Sequence, residues 1–262
     1  MIASLFHEVL YRPLLNGLVF LYQTAAFQDL GLAIILLTIV VRIVLFPLFY
    51  KGLKSQTMLM KIQPHIKRIQ DEHKNNKERQ AQALLALYKE HKVNPFTGIG
   101  IMLLQLPILI ALYRVFLNGF ADTALSEIYS FISAPTHLNQ TAFGLIDLGK
   151  RDIIVLLLAA AAQFLQGYLA HPKKVPGTSK SDNPMASVGR IMIFIGPVIT
   201  VWILSFMPSA VGLYWATTAL FSSAQQIVIN KKIHSPPPHG RDNPKTESMD
   251  SRGNQKLRER TA

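Results

Sequence analysis

The sequence contains no cysteine among its 262 residues. Disulfide bonds, thiolate metal sites, a cysteine nucleophile and a lipid-modified cysteine are therefore excluded. Recognisable catalytic motifs are missing as well: there is no zinc-protease helix motif, phosphate-binding glycine loop, nucleophile elbow or dinucleotide-binding fingerprint. We therefore expect a protein that is not an enzyme and that needs no metal or other cofactor.

Acidic residues are missing from the long apolar stretches of the chain. Hydrophobic residues make up 50% of the sequence while the formal net charge is +12, a combination that is rare in soluble domains. Five stretches approach the roughly 20 apolar residues that span about 30 Å of hydrocarbon: residues 30–49, 96–117, 153–170, 188–206 and 211–229. None contains Asp or Glu, which argues against a proton-coupled pump. We predict an all-α polytopic membrane protein with five transmembrane helices.

Basic residues lie mainly in three segments between and after these stretches. Of the 27 Lys and Arg residues, ten lie in 51–95, four in 171–190 and eight in 230–262. With five spans the three segments fall on one side of the membrane, which the positive-inside rule identifies as the cytoplasm. We therefore expect the N-terminus outside and the C-terminus in the cytoplasm.

The first 27 residues lack the features of a signal peptide, and we expect them to belong to the mature protein. Glu8, Arg12 and Asn16 recur at helical spacing opposite an apolar face, which predicts an N-terminal amphipathic interfacial helix that Pro13 bends or breaks. A disordered or partly spanning lead-in is the alternative.

Two polar, helix-favouring stretches, 54–73 and 77–91, follow the first span and predict a cytoplasmic helical hairpin. Each carries one narrow apolar stripe, formed by Ile62, Ile66 and Ile69 in the first and by Leu84, Leu87 and Tyr88 in the second. The whole division is 1–27 interfacial helix, 28–50 first span, 51–95 hairpin, 96–117 second span, 118–152 outer loop, 153–170 third span, 171–187 cytoplasmic loop, 188–229 fourth and fifth spans, and 230–262 disordered basic tail.

Arg42 is a lone charge inside the first apolar stretch. It lies nine residues before Lys51, which at about 1.5 Å per residue is about 13 Å inside the predicted boundary. Keeping a guanidinium in hydrocarbon costs from about 3 to more than 10 kcal/mol, and no span supplies a carboxylate. Backbone carbonyls and Gln side chains are one possible set of partners. We favour a water-filled pocket in which Arg42 awaits an external anion, with Thr38 one turn before it on the same face.

Uncharged polar side chains recur in the other spans. Gln105 lies in the second span, and Gln166 shares a helical face with Gln163 in the third. The fifth span carries a polar and aromatic stripe formed by Tyr214, Thr217, Thr218, Phe221, Ser222 and Gln225. Each group alone is also explained by a hydrogen bond between helices or to its own backbone. Together they indicate that several helices turn polar faces toward a shared space.

Six sequence blocks, in this order, resemble those of the YidC/Oxa/Alb membrane-protein insertases: GLAIILLTIVVRIVLFPL, IQPHIKRIQDEHKNNKE, LYKEHKVNPF, LLQLPILIALY, FGLIDLGK and GLYWATTALFSSAQQ. The resemblance implies five core helices around a hydrophilic groove that opens to the cytoplasm and the lipid. It also implies client-binding roles for Arg42, Thr38, Gln166 and Trp215, to which the polar faces add Gln105 and Tyr214. The chain departs from the family's pattern at Ala219, where an Asn is usual, at Gly212, and at Arg151-Asp152.

The resemblance implies an insertase of the short bacterial form, located in the inner or plasma membrane, that moves client transmembrane segments from the cytoplasm into the bilayer. Its expected partners are nascent membrane proteins, the ribosome, the Sec translocon, the signal-recognition machinery and anionic lipids. A small transporter or channel for an anionic solute is the alternative function. That class often shows an inverted internal repeat, and we find none in this sequence.

Overall fold

The computed structural model describes residues 2–118, 127–133, 135, 138–170 and 184–234. The chain divides into two units, Met1–Ile229 and Asn230–Ala262. The predicted cytoplasmic loop lies largely outside the described residues, and so does the predicted tail apart from residues 230–234. The described residues are mostly helical, which confirms the helical character of the fold.

The elements follow one another in a simple order. In the first half they are α1 (Ile2–Phe6), a π-helical turn (His7–Tyr11), α2 (Arg12–Thr24), α3 (Leu30–Val44), α4 (Phe46–Lys61), α5 (Gln63–Glu72) and α6 (Lys77–Glu90). In the second half they are α7 (Thr97–Asn118), β1 (Thr141–Ala142), β2 (Ile146–Asp147), α8 (Ile153–Ala170), α9 (Pro184–Leu204) and α10 (Ser209–His234).

The N-terminal helix continues through Pro13 because a π-helical turn precedes it. A proline has no N–H to donate, and the wider turn accommodates the missing bond: the N–H of Arg12 reaches back to the carbonyl of His7. The apolar side of α2 packs against α3 and α7 in the main core, and its buried residues are Leu14, Leu15, Leu18, Val19 and Tyr22.

The polar side of the N-terminal helix contacts the segment after α7 instead of remaining uncovered. Asn16, expected on an exposed polar face, is only 2% exposed. Its amide donates to the carbonyls of Arg12 (2.8 Å) and Glu127 (3.1 Å) and accepts from the N–H of Tyr129 (2.6 Å). The guanidinium of Arg12 lies 5.1 Å from the Tyr129 ring centroid. The polar stripe therefore holds residues 127–129 against the helix, because these contacts satisfy its hydrogen-bonding groups.

The first predicted span is broken. α3 ends at Val44, and α4 starts at Phe46 after a bend of 74°. Pro47 explains the break, because it cannot donate to the carbonyl of Ile43 and its ring would clash with the preceding turn. The apolar stretch 30–49 is therefore divided between two helices, and Arg42 lies in the last turn of α3.

The predicted hairpin region begins later than its sequence pattern indicated. Residues 54–61 belong to α4, and the chain breaks at Ile62 just before Pro64. α5 and α6 then pair in antiparallel fashion, with the Gln80 amide donating to the carbonyl of Gln70 at 3.1 Å. A small apolar cluster joins the two helices and is formed by Ile62, Ile66, Leu87 and Val93, with Ile69, Leu84 and Tyr88 against it.

The loop between α7 and α8 contains a short β-hairpin that the all-α prediction missed. β1 and β2 pair antiparallel, with Thr141 opposite Asp147 and Ala142 opposite Ile146. The turn uses positive φ at Phe143 and Gly144, and two-residue strands are too short to show a periodic pattern. Lys150 lies 2.8 Å from Asp147, and this hydrogen-bonded contact lowers the pKa of the Asp147 carboxyl.

This β-hairpin closes one end of the helices. Asp29 caps α3 by accepting from the N–H of Leu32 at 2.8 Å, and it also accepts from the N–H of Phe143. The N–H and hydroxyl of Ser209, at the start of α10, donate to the carbonyl of Lys150 at 2.8 and 2.7 Å. We call this the loop end of the fold. The opposite ends of α3 and α10 are called the hairpin end, after the helical hairpin formed by α5 and α6.

Large apolar surfaces remain exposed on α8 and α9. They include Ile153, Ile154, Leu157, Phe194, Val198 and Trp202. Among the described residues, α8 alone is long and apolar enough to cross a membrane, and α3 with α4 meets that requirement as a bent pair. Shorter apolar helical segments lie within α7, at Leu103–Leu117, and within α9, at Ile193–Leu204. The number of five spans therefore stays a prediction.

Gly31 provides a test of the contact between α3 and the β-hairpin. A Cβ at Gly31 would lie 2.3 Å from the Cβ of Ala142, so Gly31→Ala forces the two elements apart. We expect a loss of about 1–3 kcal/mol, as for other overpacked sites, measured by thermal unfolding in detergent micelles.

The matched control is Gly100→Ala in α7, where the added Cβ meets no described atom within 4 Å. This change should be neutral or stabilise the helix by up to about 1 kcal/mol. Equal stability of the two variants would show that α3 and the β-hairpin do not pack in this way.

Candidate functional site

Arg42 is buried in the last turn of α3, with 6% of its surface exposed. No Asp or Glu in the described part of the chain forms an ion pair with it. Its Nη1 atom is buried and has no hydrogen-bond partner among the described residues. The site therefore contains a cation with at least one unused donor.

Phe49 is the residue that sequence reasoning missed beside Arg42. The guanidinium carbon of Arg42 lies 4.1 Å from the centroid of the Phe49 ring, and Phe49 is itself buried. Such a contact attracts the charge to the ring face. In a straight helix, seven residues separate the two by about 10 Å, so the bend at Pro47 brings them together. Pro47 is the feature of the sequence from which this bend, and so the contact, could have been predicted.

Thr38 is buried one turn before Arg42, as its spacing predicts. Its hydroxyl donates to the carbonyl of Ile34 at 2.6 Å, which is the bond to its own helix that the sequence left open as an alternative. The oxygen of Thr38 keeps its capacity to accept. Thr38 therefore adds an acceptor near Arg42 and offers no free donor in this geometry.

Tyr214 and Gln105 connect α10 to α7. The amide of Gln105 donates to the hydroxyl of Tyr214, and Tyr214 is 3% exposed. Two of the predicted site residues, from two different helices, are therefore brought together.

Trp215 faces α8, and its hydrogen-bond partner there is Gln163, which lies on the same face as the predicted site residue Gln166. The indole N–H donates to the Gln163 side-chain oxygen at 3.3 Å. Gly196 of α9 packs against this glutamine, and a Cβ there would make an ordinary contact, 3.5 Å from its amide nitrogen. Gln166 lies one turn further along α8 and is half-buried. The two glutamines share a face, so spacing alone could not tell which one meets the indole.

Toward the hairpin end, α10 carries two adjacent buried glutamines in different situations. The amide of Gln226 donates to the hydroxyl of Thr57 on α4 at 2.9 Å. Gln225 is 3% exposed, and neither its amide nitrogen nor its amide oxygen has a hydrogen-bond partner in the part of the chain that is described. The Thr218 hydroxyl, one turn after Tyr214, interacts with the hydroxyl of that tyrosine. The sequence placed Gln225 and Thr218 on the polar stripe but gave neither a role.

The site offers a positive charge at Arg42, which can bind an anion, and hydrogen-bonding groups along α10. Within the described residues, no group of three or more His, Asp or Glu side chains is arranged to hold a metal ion. The chemistry available is binding by charge and by hydrogen bonds.

Known proteins share this sequence over most of its length. The family model described as "60Kd inner membrane protein" matches residues 20–236. The "Membrane protein insertase YidC" of Clostridium tetani is 33% identical over 201 residues, which cover 77% of this chain and 81% of that protein. The "Membrane protein insertase MisCB" of Bacillus subtilis is 33% identical over 246 residues, with 88% and 82% covered.

A longer relative matches through only part of its own length. The "Membrane protein insertase YidC" of Wolinella succinogenes is 34% identical over 226 residues, which cover 86% of this chain and 37% of that protein. The family model and the two relatives of similar length confirm the resemblance found in the sequence blocks. The chain therefore belongs to the 60Kd inner membrane protein family, the family of the YidC and MisCB membrane protein insertases.

Proposed function

We propose that this protein is a membrane protein insertase, which moves client transmembrane segments from the cytoplasm into the bilayer through a half-depth hydrophilic groove that carries Arg42. It acts alone or with the Sec translocon. Family membership supports the insertase function. The observation that carries the role of Arg42 is its burial at 6% exposure with Nη1 unbonded and no acidic partner among the described residues.

The proposal includes five spans in a bacterial inner or plasma membrane, with the N-terminus outside and the C-terminus in the cytoplasm. The distribution of Lys and Arg supports this orientation. The exposed apolar side chains of α8 and α9 support lipid contact, because soluble monomers rarely expose apolar surfaces of this extent.

Insertion requires the polar flank of a client to cross about 30 Å of hydrocarbon, where unpaired backbone groups are costly. A groove of half that depth shortens the dry path. Arg42 attracts acidic residues in the client flank, and a polar wall receives the rest of it, formed by Thr38, Gln105, Gln166, Tyr214 and Trp215. Burial of the client's apolar helix in lipid supplies the driving force, so neither a nucleotide nor a metal ion is needed.

The helical hairpin and the basic tail serve as the docking surface in this proposal. Residues 51–95 carry ten Lys and Arg against four Asp and Glu, and residues 230–262 carry eight against four. Positive charge of this density suits the phosphate backbone of the ribosome and anionic lipid headgroups. The signal-recognition machinery and the Sec translocon are the other proposed partners.

Replacing Arg42 tests the role of its charge. Arg42→Ala in proteoliposomes should lower insertion of a client with an acidic translocated tail by about 10-fold or more, the factor expected for one hydrogen bond to a charged group. Arg42→Lys should retain much of the activity because the charge remains. Protease protection of the client tail measures insertion.

The matched control is the same client with Asn and Gln in place of its acidic residues, for which the three proteins should differ little. Equal insertion of the acidic client by all three would contradict the proposed role of Arg42. If the wild-type vesicles insert no client but accumulate an anionic solute, the protein is a transporter or channel instead.

Removing residues 235–262 tests the tail. The truncated protein should co-sediment less with ribosomes than the full chain at low salt, because it loses cationic contacts, and the difference should shrink as salt screens them. An unchanged profile across the salt series would assign docking to the hairpin alone.

A further inference from the structure

Polar side chains of α10 lie along one face of that helix. At about 100° per residue, Thr218 and Gln225 fall within about 40° of Tyr214 around the helix axis. The line begins at Tyr214, whose hydroxyl accepts a hydrogen bond from Gln105. It ends beside Gln226, which is bonded to Thr57 of α4. The line is about 16 Å long, since eleven residues each rise about 1.5 Å.

Gln225 differs from the other buried amides of this fold. Asn16 is equally buried but makes three hydrogen bonds, and Gln226, at 2% exposure, donates to Thr57. Gln225 makes none with any described residue, although both of its amide atoms are inaccessible. Buried polar groups are normally bonded, because an unbonded donor or acceptor loses its hydration without compensation. Its missing partner is therefore expected to come from outside the described protein.

The donor and acceptor groups of the Gln225 amide favour a peptide backbone as the partner. A primary amide presents one acceptor and a pair of donors side by side, which is complementary to the N–H and C=O of a peptide group. A phosphate group offers acceptors alone and would leave the amide oxygen of Gln225 unused. A client flank that enters a membrane in extended form carries the backbone groups that need such a partner.

We propose that Gln225 binds the backbone of the extended client segment whose acidic residue pairs with Arg42. This inference rests on the proposed insertase function and adds a backbone-binding site to it. An extended chain advances about 3.3 Å per residue, so about five client residues separate the one at Tyr214 from the one at Gln225. Backbone binding makes the site indifferent to client sequence.

The first test separates client binding from a structural role. Gln225→Leu removes only groups that have no partner in the described protein, so its melting temperature should equal or exceed that of the wild type. Insertion should fall about fivefold, the factor that one typical net hydrogen bond gives, for acidic and neutral clients alike. Gln226→Leu is the matched neighbour and should lower the melting temperature, because it breaks the bond to Thr57.

The second test reads the register of the client. Since the chain has no cysteine, Ser222→Cys introduces a single thiol between Thr218 and Gln225, about 12 Å from Tyr214. In stalled insertion intermediates, disulfide formation should peak for a client cysteine about four residues from the acidic residue. The peak should move with the acidic residue and broaden when Gln225→Leu is added.

Three results would overturn the proposal. A lower melting temperature for Gln225→Leu would show that the amide is structural. Unchanged insertion by a stable Gln225→Leu protein would show that no client needs it, while the insertase function itself stands on the wild-type activity. Disulfide yields that are independent of client position, or of Gln225, would exclude a fixed register.

Discussion

Accommodating the buried guanidinium of Arg42 is the constraint on which the surrounding structure depends. A buried arginine at membrane depth costs from about 3 to more than 10 kcal/mol. The ring of Phe49, 4.1 Å away, offsets up to about 2 kcal/mol. The last turn of α3, whose carbonyl ends favour a cation, offsets a similar amount at most. Both depend on the chain breaking after Val44, so the environment of the charge includes the bend at Pro47. Any part of the cost that exceeds these two contributions requires water or an anion.

The polar groups at the two ends of the helices differ in how many hydrogen bonds they make. At the loop end, Asp29, Asn16 and Ser209 are bonded to the segments that follow α7, and these bonds hold the β-hairpin over the start of α3. Along α10 toward the hairpin end, buried groups remain unbonded within the described residues. Satisfied groups fix a structure, whereas unsatisfied ones favour whatever can bond them. The hydrogen bonds at the loop end therefore fix the structure there, whereas the unbonded groups along α10 favour a partner that can bond them.

Sequence reasoning predicted the features that depend on local composition. The third apolar stretch has the same bounds as α8, and the apolar stripes around Ile66 and Leu87 meet in one cluster. It failed where a single residue redirects the chain: Pro47 bends the first stretch, and the contact of Arg42 with Phe49 follows from that bend. It also could not choose between Gln163 and Gln166 as the partner of the Trp215 indole, since both glutamines lie on one face of α8.

The kind of side chain that contacts the guanidinium of Arg42, an aromatic ring or a carboxylate, decides how a client could be bound and released. A carboxylate in the protein would occupy the guanidinium donors, and a client acid would have to displace it. An aromatic ring attracts the charge without accepting conventional hydrogen bonds, so the donors of Arg42 remain available. Each bond that Arg42 or Gln225 offers contributes only about 1–3 kcal/mol, whereas each large apolar side chain of a client gains about 1.5–3 kcal/mol when it leaves water. In the proposed function, such polar groups would orient the flank of a client without retaining it, because the apolar helix of some 20 residues gains far more by moving into lipid.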